Sequence, residues 1–412
     1  MNAFKISRLL APRYYKVLEI TKEIPFDVQP NCPCDRSPLK TFCTFLGNEG
    51  RDKIRVGVCD ACGYVGYIDR PAGDWIRNYY STTWDAGEES ESRIEAETKE
   101  YAAKKGSLNP IKLTEEEVLN LGISKDRYLL EIGSGRDLVP KALAKLGYGK
   151  IMAVDPSKHR ARISEQAFGI KVVAEPFESE KAQAEFRKNA PFGLIFSSHV
   201  LEHTYDPGEI IRLAASLQNN GDYLALAFPN IHRERAGIIL LFLPHLHSLS
   251  PDSLKNLLES NGYEIIKSAR AEGNHAVLAK KTGERKESPA TSGHIQSTLA
   301  RFIKEIGLDK TYSSKSRLWW WFKYANHGGQ DTLWSKIWPI PLLQYYLYSK
   351  IIFRRRFKKE LAFSLGEKFA KKPVHYSTIM GAAITDAEKR FTSPGESPIE
   401  IQFDGNIKLF YK

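Results

Sequence analysis

Titratable side chains follow one apolar run of the sequence at close spacing. The run FGLIFSS ends at Ser198, and His199, Glu202 and His203 come directly after it. An imidazole has an ordinary pKa close to neutral pH, so a histidine is well suited to moving a proton for a reacting group. We predict His199 as the first catalytic candidate and His203 as the second. Glu202 and His203 also admit a structural interpretation, because Glu is favoured at a helix start and an adjacent His can bond to the backbone.

Four of the five cysteines form two close pairs near the N-terminus. Cys32 and Cys34 are separated by one residue, and Cys59 and Cys62 by two, with Gly63 relieving the turn that follows. Two such knuckles closing on one tetrahedral ion leave no open position, so the pattern predicts a structural zinc site with all four cysteines as ligands. Free cysteines in a small core and a redox pair are the alternatives.

A glycine-rich turn follows another apolar run. In LLEIGSGRDLVPKAL, Gly133 and Gly135 come directly after the run that contains Glu131, and the run IMAVD ends in Asp155 about 20 residues further on. Glycines let a ligand approach the backbone, and an acidic residue at this distance commonly binds ribose hydroxyls. Leu138 stands where a dinucleotide fingerprint needs a third glycine, which counts against NAD. A plain tight strand-to-helix connection is the alternative.

The elements that must position these residues alternate along the chain. Between residues 128 and 281, short β-rich runs such as YLLEI, IMAVD, KVVA, GLIFS and YLALAF alternate with helical patterns. This alternation predicts an α/β, Rossmann-like domain with a mostly parallel sheet and helices on both faces. YEIIKSAR and AVLAKK are separated only by AEGNH, which predicts an antiparallel pair at one edge of the sheet.

The motifs in this order resemble the class I S-adenosylmethionine-dependent methyltransferases. They are ExGxG, VDPS, FGLIFSSHVLEHTYDP and LHSLSPDSLKNLLESNGYE. The resemblance implies that Gly133 and Gly135 wrap the methionine part of S-adenosyl-L-methionine, that Asp155 binds its ribose and that Glu131 orders the loop or contacts the amino group. In VVAEPFESE, Phe177 is the candidate for a backbone and ring contact with adenine.

Methyl transfer from a sulfonium is an in-line displacement that needs no metal, but an oxygen or nitrogen acceptor can need a base. His199 lies just after the fourth strand of the predicted sheet, where side chains face the ligand crevice. His245 and His247, in LPHLHSLSP, occupy a loop that resembles a substrate-facing loop of the relatives. A structural role is the alternative for each of these two histidines.

A narrower resemblance covers about residues 32–281. A zinc module, then DWIRNYYSTTWDAG, then the catalytic domain is similar to the sugar methyltransferases of deoxysugar, polysaccharide and natural-product pathways. In such relatives the tyrosine-rich segment covers the cofactor, so Tyr79, Tyr80 and Trp84 are candidate lid residues and Tyr80 a candidate cofactor contact. The second Rossmann-like domain of the sugar C-methyltransferases is not seen beyond Lys281, so we expect transfer to oxygen.

The last third of the chain differs in composition from the rest. Between residues 281 and 360 there are sixteen Lys and Arg against six Asp and Glu, and five of the seven tryptophans. Region 317–360 suits a membrane surface, where aromatic rings and cations both find partners. Nucleic-acid binding, which we consider the weaker alternative, and plain packing are the other interpretations. We divide the chain into a zinc module and lid (1–90), the catalytic domain (91–281), a linker (282–297) and a basic, aromatic-rich region (298–412).

The longest apolar run, residues 237–243, is too short to span a bilayer, and no cleavable signal is seen. We therefore expect a cytoplasmic protein, peripheral at the inner face of the membrane if region 317–360 binds there. The predicted function is S-adenosylmethionine-dependent methyl transfer to oxygen of a sugar, glycan or related small metabolite, including a lipid-linked glycan. An RNA methyltransferase and a non-catalytic cofactor-binding module are the alternatives.

Overall fold

The computed structural model describes residues 4–6, 25–47, 52–83, 91–135, 137–229, 245–271, 274–286 and 399–403. The candidate lid residue Trp84 and the predicted membrane-surface region 317–360 lie outside the described residues. Among the residues described, no helix is long and apolar enough to cross a membrane.

The strands in the described part of the chain are numbered in chain order. They are β1 (Phe4–Ile6), β2 (Phe26–Val28), β3 (Lys40–Gly47), β4 (Asp52–Val58), β5 (Val65–Tyr67), β6 (Asp69–Pro71), β7 (Tyr128–Ile132), β8 (Ile151–Val154), β9 (Lys171–Val173), β10 (Phe192–Ser198), β11 (Tyr223–Pro229), β12 (His247–Ser248), β13 (Tyr263–Ala271), β14 (Asn274–Lys281) and β15 (Ile399–Phe403).

The α-helices of the same part are α1 (Gly73–Asn78), α2 (Glu91–Ala103), α3 (Glu115–Asn120), α4 (Val139–Lys145), α5 (Lys158–Phe168), α6 (Glu180–Arg187), α7 (Pro207–Ser216) and α8 (Pro251–Glu259). A π-helical turn, Tyr79–Thr83, continues α1. Short 3-10 helices span Asn109–Ile111 and Leu201–His203.

The central sheet has seven strands in the order β13-β14-β11-β10-β7-β8-β9. The five strands from β9 to β11 in this order are mutually parallel. β14 pairs antiparallel with both β11 and β13, so the hairpin closes one edge of the sheet. This order confirms the predicted Rossmann-like class and the antiparallel edge pair. The chain changes direction across the sheet between β7 and β10, and in such sheets the ligand crevice lies outside the carboxyl ends of the strands at that point.

Both faces of the parallel strands are buried because helices cover both sides of the sheet. Successive residues of β7 illustrate this: Leu129 packs in one hydrophobic core cluster and Leu130 in the other, and both are fully buried. Near-continuous apolar runs are typical of parallel strands that are covered on two faces. The sheet therefore fixes the positions of the loops that follow β7, β8 and β10.

The helices that follow the loops begin at side-chain caps. Ser157 accepts a hydrogen bond from the Arg160 backbone at the start of α5, two residues after Asp155. Ser250 and Ser253 form a reciprocal cap at the start of α8. Such caps satisfy backbone donors that the first helical turn leaves open. The cap of α5 therefore fixes the loop that carries Asp155.

A second sheet has the order β1-β15-β3-β4-β5-β12. Its strand β12 comes from the predicted catalytic domain and pairs antiparallel with β5 of the predicted zinc module, placing His247 opposite Gly66. Residues 399–403, within the predicted C-terminal region, add β15 parallel to β3. The predicted N-terminal module is thus joined to the catalytic domain by a shared sheet.

Candidate functional site

The loop after β7 passes close to the loop after β10. Gly133 adopts φ 81°, a region that L side chains rarely adopt. A Cβ at Gly133 would lie 2.3 Å from Val200 Cγ2. The position therefore requires glycine both for its backbone conformation and for the close approach of Val200.

Asp155 ties the glycine loop to the start of α5. Its Oδ2 accepts a hydrogen bond from the Gly135 amide at 3.0 Å, and its Oδ1 accepts from the Ser157 amide at 2.8 Å. The side chain is at the carboxyl end of β8, as the sequence predicts. Carboxylate oxygens at this place are acceptors of the kind that ribose hydroxyls bind.

Two further carboxyl groups lie near the glycine loop. Glu131 is 2% exposed, and its Oε2 has no hydrogen-bond partner in the described part of the chain. Burial, then the charges of Asp137 and Asp155, raise the pKa of Glu131 well above its ordinary value. Burial also raises the pKa of Asp137, although Ser198 and His199 act in the opposite direction. The loop thus holds acidic groups whose charged forms are disfavoured by burial and would be stabilised by a cationic ligand.

The sequence reasoning missed Asp137, although it stands two residues after Gly135. The buried Ser134 hydroxyl, at 0% exposure, is also without a hydrogen-bond partner among the described residues. Unpartnered buried polar atoms are uncommon in folded proteins and need an explanation. A ligand with an ammonium group and ribose hydroxyls supplies the missing cation and donors, so the residues present fit S-adenosylmethionine.

His199 stands at the end of β10 in a left-handed conformation with φ 56°. Its Nδ1 lies 3.1 Å from Glu202 Oε1, and its Nε2 lies 3.0 Å from the Asn274 side-chain nitrogen. Since an ionised carboxylate only accepts, Nδ1 carries the proton and donates to Glu202. Nε2 then holds the lone pair and accepts from Asn274. This tautomer presents a basic nitrogen at the crevice, as a general base requires.

Glu202 is almost completely buried, at 2% exposure. Burial acts to raise its pKa, but His203, then His199 and His245, lower it to about 2. Its Oε2 has no hydrogen-bond partner within the described residues. Glu202 therefore stands in the short 3-10 turn after β10 as a buried carboxylate that contacts His199.

The predicted lid segment contacts His203. The Tyr80 hydroxyl lies 2.7 Å from His203 Nδ1, and the two rings are 5.4 Å apart. Tyr79 is buried and stacks on Trp75 with ring centroids 5.3 Å apart. The structure thus brings Tyr80 to the segment after β10. Its predicted contact with the cofactor stays a prediction.

The two histidines of the predicted substrate loop have different surroundings. His245 is half-buried, and its ring lies 4.6 Å from the His203 ring, edge to face. His247 is 2% exposed, with Nδ1 at 2.5 Å from the Tyr64 hydroxyl and Nε2 at 2.8 Å from the Thr204 carbonyl. Both ring nitrogens of His247 are used within the fold, and burial lowers its pKa well below the ordinary value. The prediction that His247 contacts substrate is therefore corrected to a structural role.

Phe177 is a core residue in this structure. Its side chain is 4% exposed and stacks on Phe186 with ring centroids 5.7 Å apart. Its carbonyl accepts a hydrogen bond from Gln183. These contacts correct the prediction of a ring contact with adenine, because the ring is covered by core side chains. A contact through the backbone amide stays a prediction.

The four paired cysteines form one buried cluster without a disulfide. Cys32 Sγ lies 3.6 Å from Cys62 Sγ, and the Cys34 thiol interacts with both. Asp35, which the sequence reasoning did not single out, accepts from the Cys59 thiol at 3.3 Å. One donor atom each from Cys32, Asp35, Cys59 and Cys62 lies within 4.8 Å of the others. The two predicted knuckles therefore converge, with a carboxylate beside them.

A buried cation accompanies the cysteine cluster. Arg70 is 3% exposed and donates to the Tyr67 carbonyl at 2.8 Å and to the Tyr64 hydroxyl at 3.3 Å. Burial raises the pKa of Tyr64 while Arg70 acts to lower it, and the neighbouring cysteines act to raise it further. A positive charge at this place favours a net negative group nearby, such as a metal bound by thiolates.

Residues 102–268 match the model of the methyltransferase-domain family. The chain contains a methyltransferase domain. The match includes the glycine loop, Asp155, the segment after β10 and α8. It covers less than half of the 412-residue chain and begins after the cysteine cluster.

Ubiquinone biosynthesis O-methyltransferases from two Caulobacter species are similar to part of this domain. The protein from Caulobacter sp. strain K31 is 33% identical over 107 residues, which is 25% of this chain and 40% of that protein. The protein from Caulobacter vibrioides is 32% identical over the same length and coverage. The chain therefore spans about two fifths of the length of these curated relatives.

Solved methyltransferase structures are similar at lower identity. Magnesium protoporphyrin IX methyltransferase from Synechocystis PCC 6803 with bound S-adenosylhomocysteine is 12% identical, with 51% of this chain and all of that chain covered and a TM-score of 0.37. The 1,6-didemethyltoxoflavin-N1-methyltransferase from Burkholderia thailandensis is 15% identical, with 56% and 96% covered and a TM-score of 0.35. The domain assignment rests on the family match and the sheet order.

Proposed function

We propose that this chain is an S-adenosylmethionine-dependent methyltransferase that transfers a methyl group to an oxygen atom of a sugar, glycan or related small metabolite. The observation that carries the proposal is the His199–Glu202 pair, which presents an imidazole lone pair beside the glycine loop. The Caulobacter relatives act at oxygen by name, which supports an oxygen acceptor. The sequence resemblance to sugar methyltransferases supports the acceptor class.

The cofactor supplies an electrophilic methyl group on a sulfonium. We propose that Glu131 and Asp137 bind the cofactor's ammonium group, since both are carboxyls with few protein donors and pKa values raised by burial. We propose that Asp155 accepts from the ribose hydroxyls, since its carboxylate lies at the end of β8 beside the Gly135 amide. Binding a cation here offsets the desolvation of the carboxylates, which is a large cost when they are unpaired.

The acceptor hydroxyl loses its proton as its oxygen bonds to the methyl carbon and the sulfur–methyl bond breaks. We propose that His199 Nε2 takes that proton. The Asn274 amide donates to Nε2 in this structure, and the acceptor hydroxyl would take its place. Glu202 Oε1 accepts from Nδ1, holds the ring in the required tautomer and stabilises the imidazolium that forms. The proton then leaves Nε2 for solvent.

We also propose that the cysteine cluster holds a structural Zn²⁺ through Cys32, Cys34, Cys59 and Cys62. Burial of all four thiols, the convergence of Cys32, Cys59 and Cys62 and the interaction of the Cys34 thiol with Cys32 and Cys62 support this assignment. Asp35 accepts from the Cys59 thiol in this structure, and that hydrogen bond would be lost when the sulfur binds the ion as a thiolate. The Ser250 hydroxyl donates to the Cys62 carbonyl at 2.9 Å, so an ordered cluster would also hold α8 in place.

A membrane-surface role for region 317–360 is part of this proposal, because a lipid-linked glycan acceptor would lie at the cytoplasmic face of a membrane. The support is the composition of that region, which combines tryptophans with Lys and Arg.

The proposal is tested by offering the purified chain a cofactor with a radiolabelled methyl group and three acceptor pools: sugar nucleotides, lipid-linked glycans and total RNA. We expect label in a sugar-containing fraction, bound through a base-stable ether. The His199→Gln variant should bind the cofactor and leave the fraction unlabelled. Label found only in RNA, or transfer to a sugar at the full rate by His199→Gln, would contradict the proposal.

A further inference from the structure

A second group of metal-ligating side chains lies beside the His199–Glu202 pair. Glu202 and His203 come from the 3-10 turn after β10, and His245 comes from the loop that precedes β12. One donor atom from each of the three lies within 4.8 Å of the other two. Side chains 42 residues apart in sequence, from two loops, thus converge on one point at the crevice.

The two oxygens of Glu202 have different surroundings. Oε1 accepts from His199 Nδ1 at 3.1 Å, whereas Oε2 is buried and without a hydrogen-bond partner in the described chain. A buried carboxylate oxygen left unpartnered is costly, and buried charges are normally paired or coordinate a metal. The oxygen not used by His199 is therefore available as a ligand.

His203 is oriented in the way that ligating histidines commonly are. Its Nδ1 bonds to the Tyr80 hydroxyl at 2.7 Å, and its Nε2 lies 3.8 Å from Glu202 Oε1. Ligating histidines usually engage their second ring nitrogen in such an outer hydrogen bond, which fixes the ring and its tautomer. The half-buried His245 ring lies 4.6 Å from the His203 ring. Both imidazoles therefore stand against the same carboxylate.

We propose that Glu202, His203 and His245 bind one divalent transition-metal cation. Two imidazoles and one carboxylate suit Mn²⁺, Fe²⁺, Co²⁺ or Zn²⁺, and three protein ligands leave positions open for oxygen ligands. This site is separate from the cysteine cluster in both ligand type and openness.

The three side chains lie next to the proposed base, because Glu202 Oε1 accepts from His199 Nδ1. Resting on the proposed function, we assign to the cation the binding of an acceptor with adjacent hydroxyl oxygens, as in a vicinal diol. Metal-bound hydroxyls are more acidic, so the proton passes to His199 Nε2 more readily. His199 remains the base, and Glu202 joins the base and the cation through its two oxygens.

Cobalt alone is the probe, because its visible absorption reports ligand type. The full-length chain, purified with its cysteine cluster loaded with zinc, is titrated with Co²⁺. We expect one equivalent to give d–d bands without the near-ultraviolet charge-transfer band of thiolate ligation. Glu202→Gln and His245→Ala should each weaken Co²⁺ binding by at least the roughly 10- to 100-fold that loss of an outer-shell partner costs.

The controls separate this site from its neighbours. Asp126→Ala changes an exposed carboxylate outside the crevice and should bind Co²⁺ like wild type, whereas His199→Ala removes a hydrogen bond to Glu202 but no proposed ligand and should weaken binding less than the loss of a ligand does. Because Glu202 is buried, its replacement is sensitive to misfolding, so His245→Ala at a half-buried residue provides a second test of the same site. Equal Co²⁺ affinity in wild type and His245→Ala, equal loss in His199→Ala, or no d–d bands in wild type would overturn the assignment. Cofactor binding, measured without Co²⁺, reports on the proposed function independently.

Discussion

Glu202 Oε1 lies 3.1 Å from His199 Nδ1 while its second oxygen stays buried without a hydrogen-bond partner in the described chain. The pairing makes the two residues one unit: the carboxylate sets the tautomer of the imidazole, and the imidazole helps to keep the carboxylate ionised. Glu202 thus has two roles: one oxygen orients the base His199, and the other is available to a ligand.

We expect replacement of His199 to slow methyl transfer without changing cofactor affinity. A positioned base contributes about 10² to 10⁴-fold to rate, so His199→Ala should lose turnover of that order. His199→Gln can keep a hydrogen bond but cannot accept a proton near neutral pH, and it should lose nearly as much. Turnover near the wild-type value in both variants, measured with the true acceptor, would show that His199 is not the base.

Glu131→Gln should stabilise the ligand-free protein while weakening cofactor binding. The pKa of Glu131 is higher in the folded protein than its ordinary value of 4.5. Ionisation of this carboxyl as the pH rises above 4.5 therefore lowers the free energy of unfolding. At pH 7 we expect the variant to be more stable than wild type, because the amide has no charge to desolvate. Denaturant unfolding at pH 7 and pH 4 measures this difference, which should shrink at the lower pH. A less stable variant at pH 7 would contradict the account.

The contribution of Glu202 to stability depends on pH in the opposite direction. Its folded pKa of about 2 is below the ordinary 4.5, so its contribution is fully present above pH 4.5 and is lost as pH falls toward 2. The Glu202→Gln variant should therefore lose stability relative to wild type at pH 7, and the difference should diminish in acid. Urea unfolding across that window is the measurement. A gap that widens as pH falls would contradict an ionised, histidine-paired carboxylate.

Gly133→Ala should be far more damaging than Gly169→Ala. Both glycines adopt positive φ, at 81° and 66°, but a Cβ at Gly169 meets nothing within 4 Å, whereas one at Gly133 would collide with Val200. We expect the Gly133 variant to cost roughly 1–3 kcal/mol more, on the scale of overpacking, and to lose cofactor binding. Equal losses of unfolding free energy would indicate that backbone strain alone matters there.

The proposed zinc site predicts about one tightly held zinc per chain. Elemental analysis should find it in wild type and in Cys43→Ser, a matched cysteine variant outside the two pairs. Cys59→Ser should lose the metal and destabilise the N-terminal segments, because structural zinc contributes folding free energy. Stoichiometric zinc after replacement of both Cys59 and Cys62 would refute the site.

The sequence was sufficient for features that depend on local pattern. Alternating apolar runs predicted the parallel sheet and its antiparallel edge, and Gly133, Gly135 and Asp155 were predicted to follow strands, where the structure places them. The two cysteine pairs predicted a cluster that the structure forms. Each of these signals lies within a short stretch of chain or follows from how parallel strands align.

Features that depend on long-range contacts were not predictable. His245 and His247 are alike in sequence, but β12 pairs with β5 and buries only His247 against Tyr64. Phe177 looked available to a cofactor until its contact with Phe186 was seen. Asp35 and Asp137 stand next to predicted motifs, but charged residues are common in loops and only their neighbours in space single them out.

The central claim is that the cofactor binds at the glycine loop and Asp155, and calorimetry with S-adenosylmethionine tests it most directly. We expect Asp155→Ala to weaken binding about tenfold or more, the scale of losing a charged hydrogen bond of roughly 1.5 to 3 kcal/mol. Asp126→Ala, an exposed carboxylate before the opposite end of β7, should bind like wild type. Unchanged affinity in Asp155→Ala, or no binding by the wild-type chain, would contradict the account.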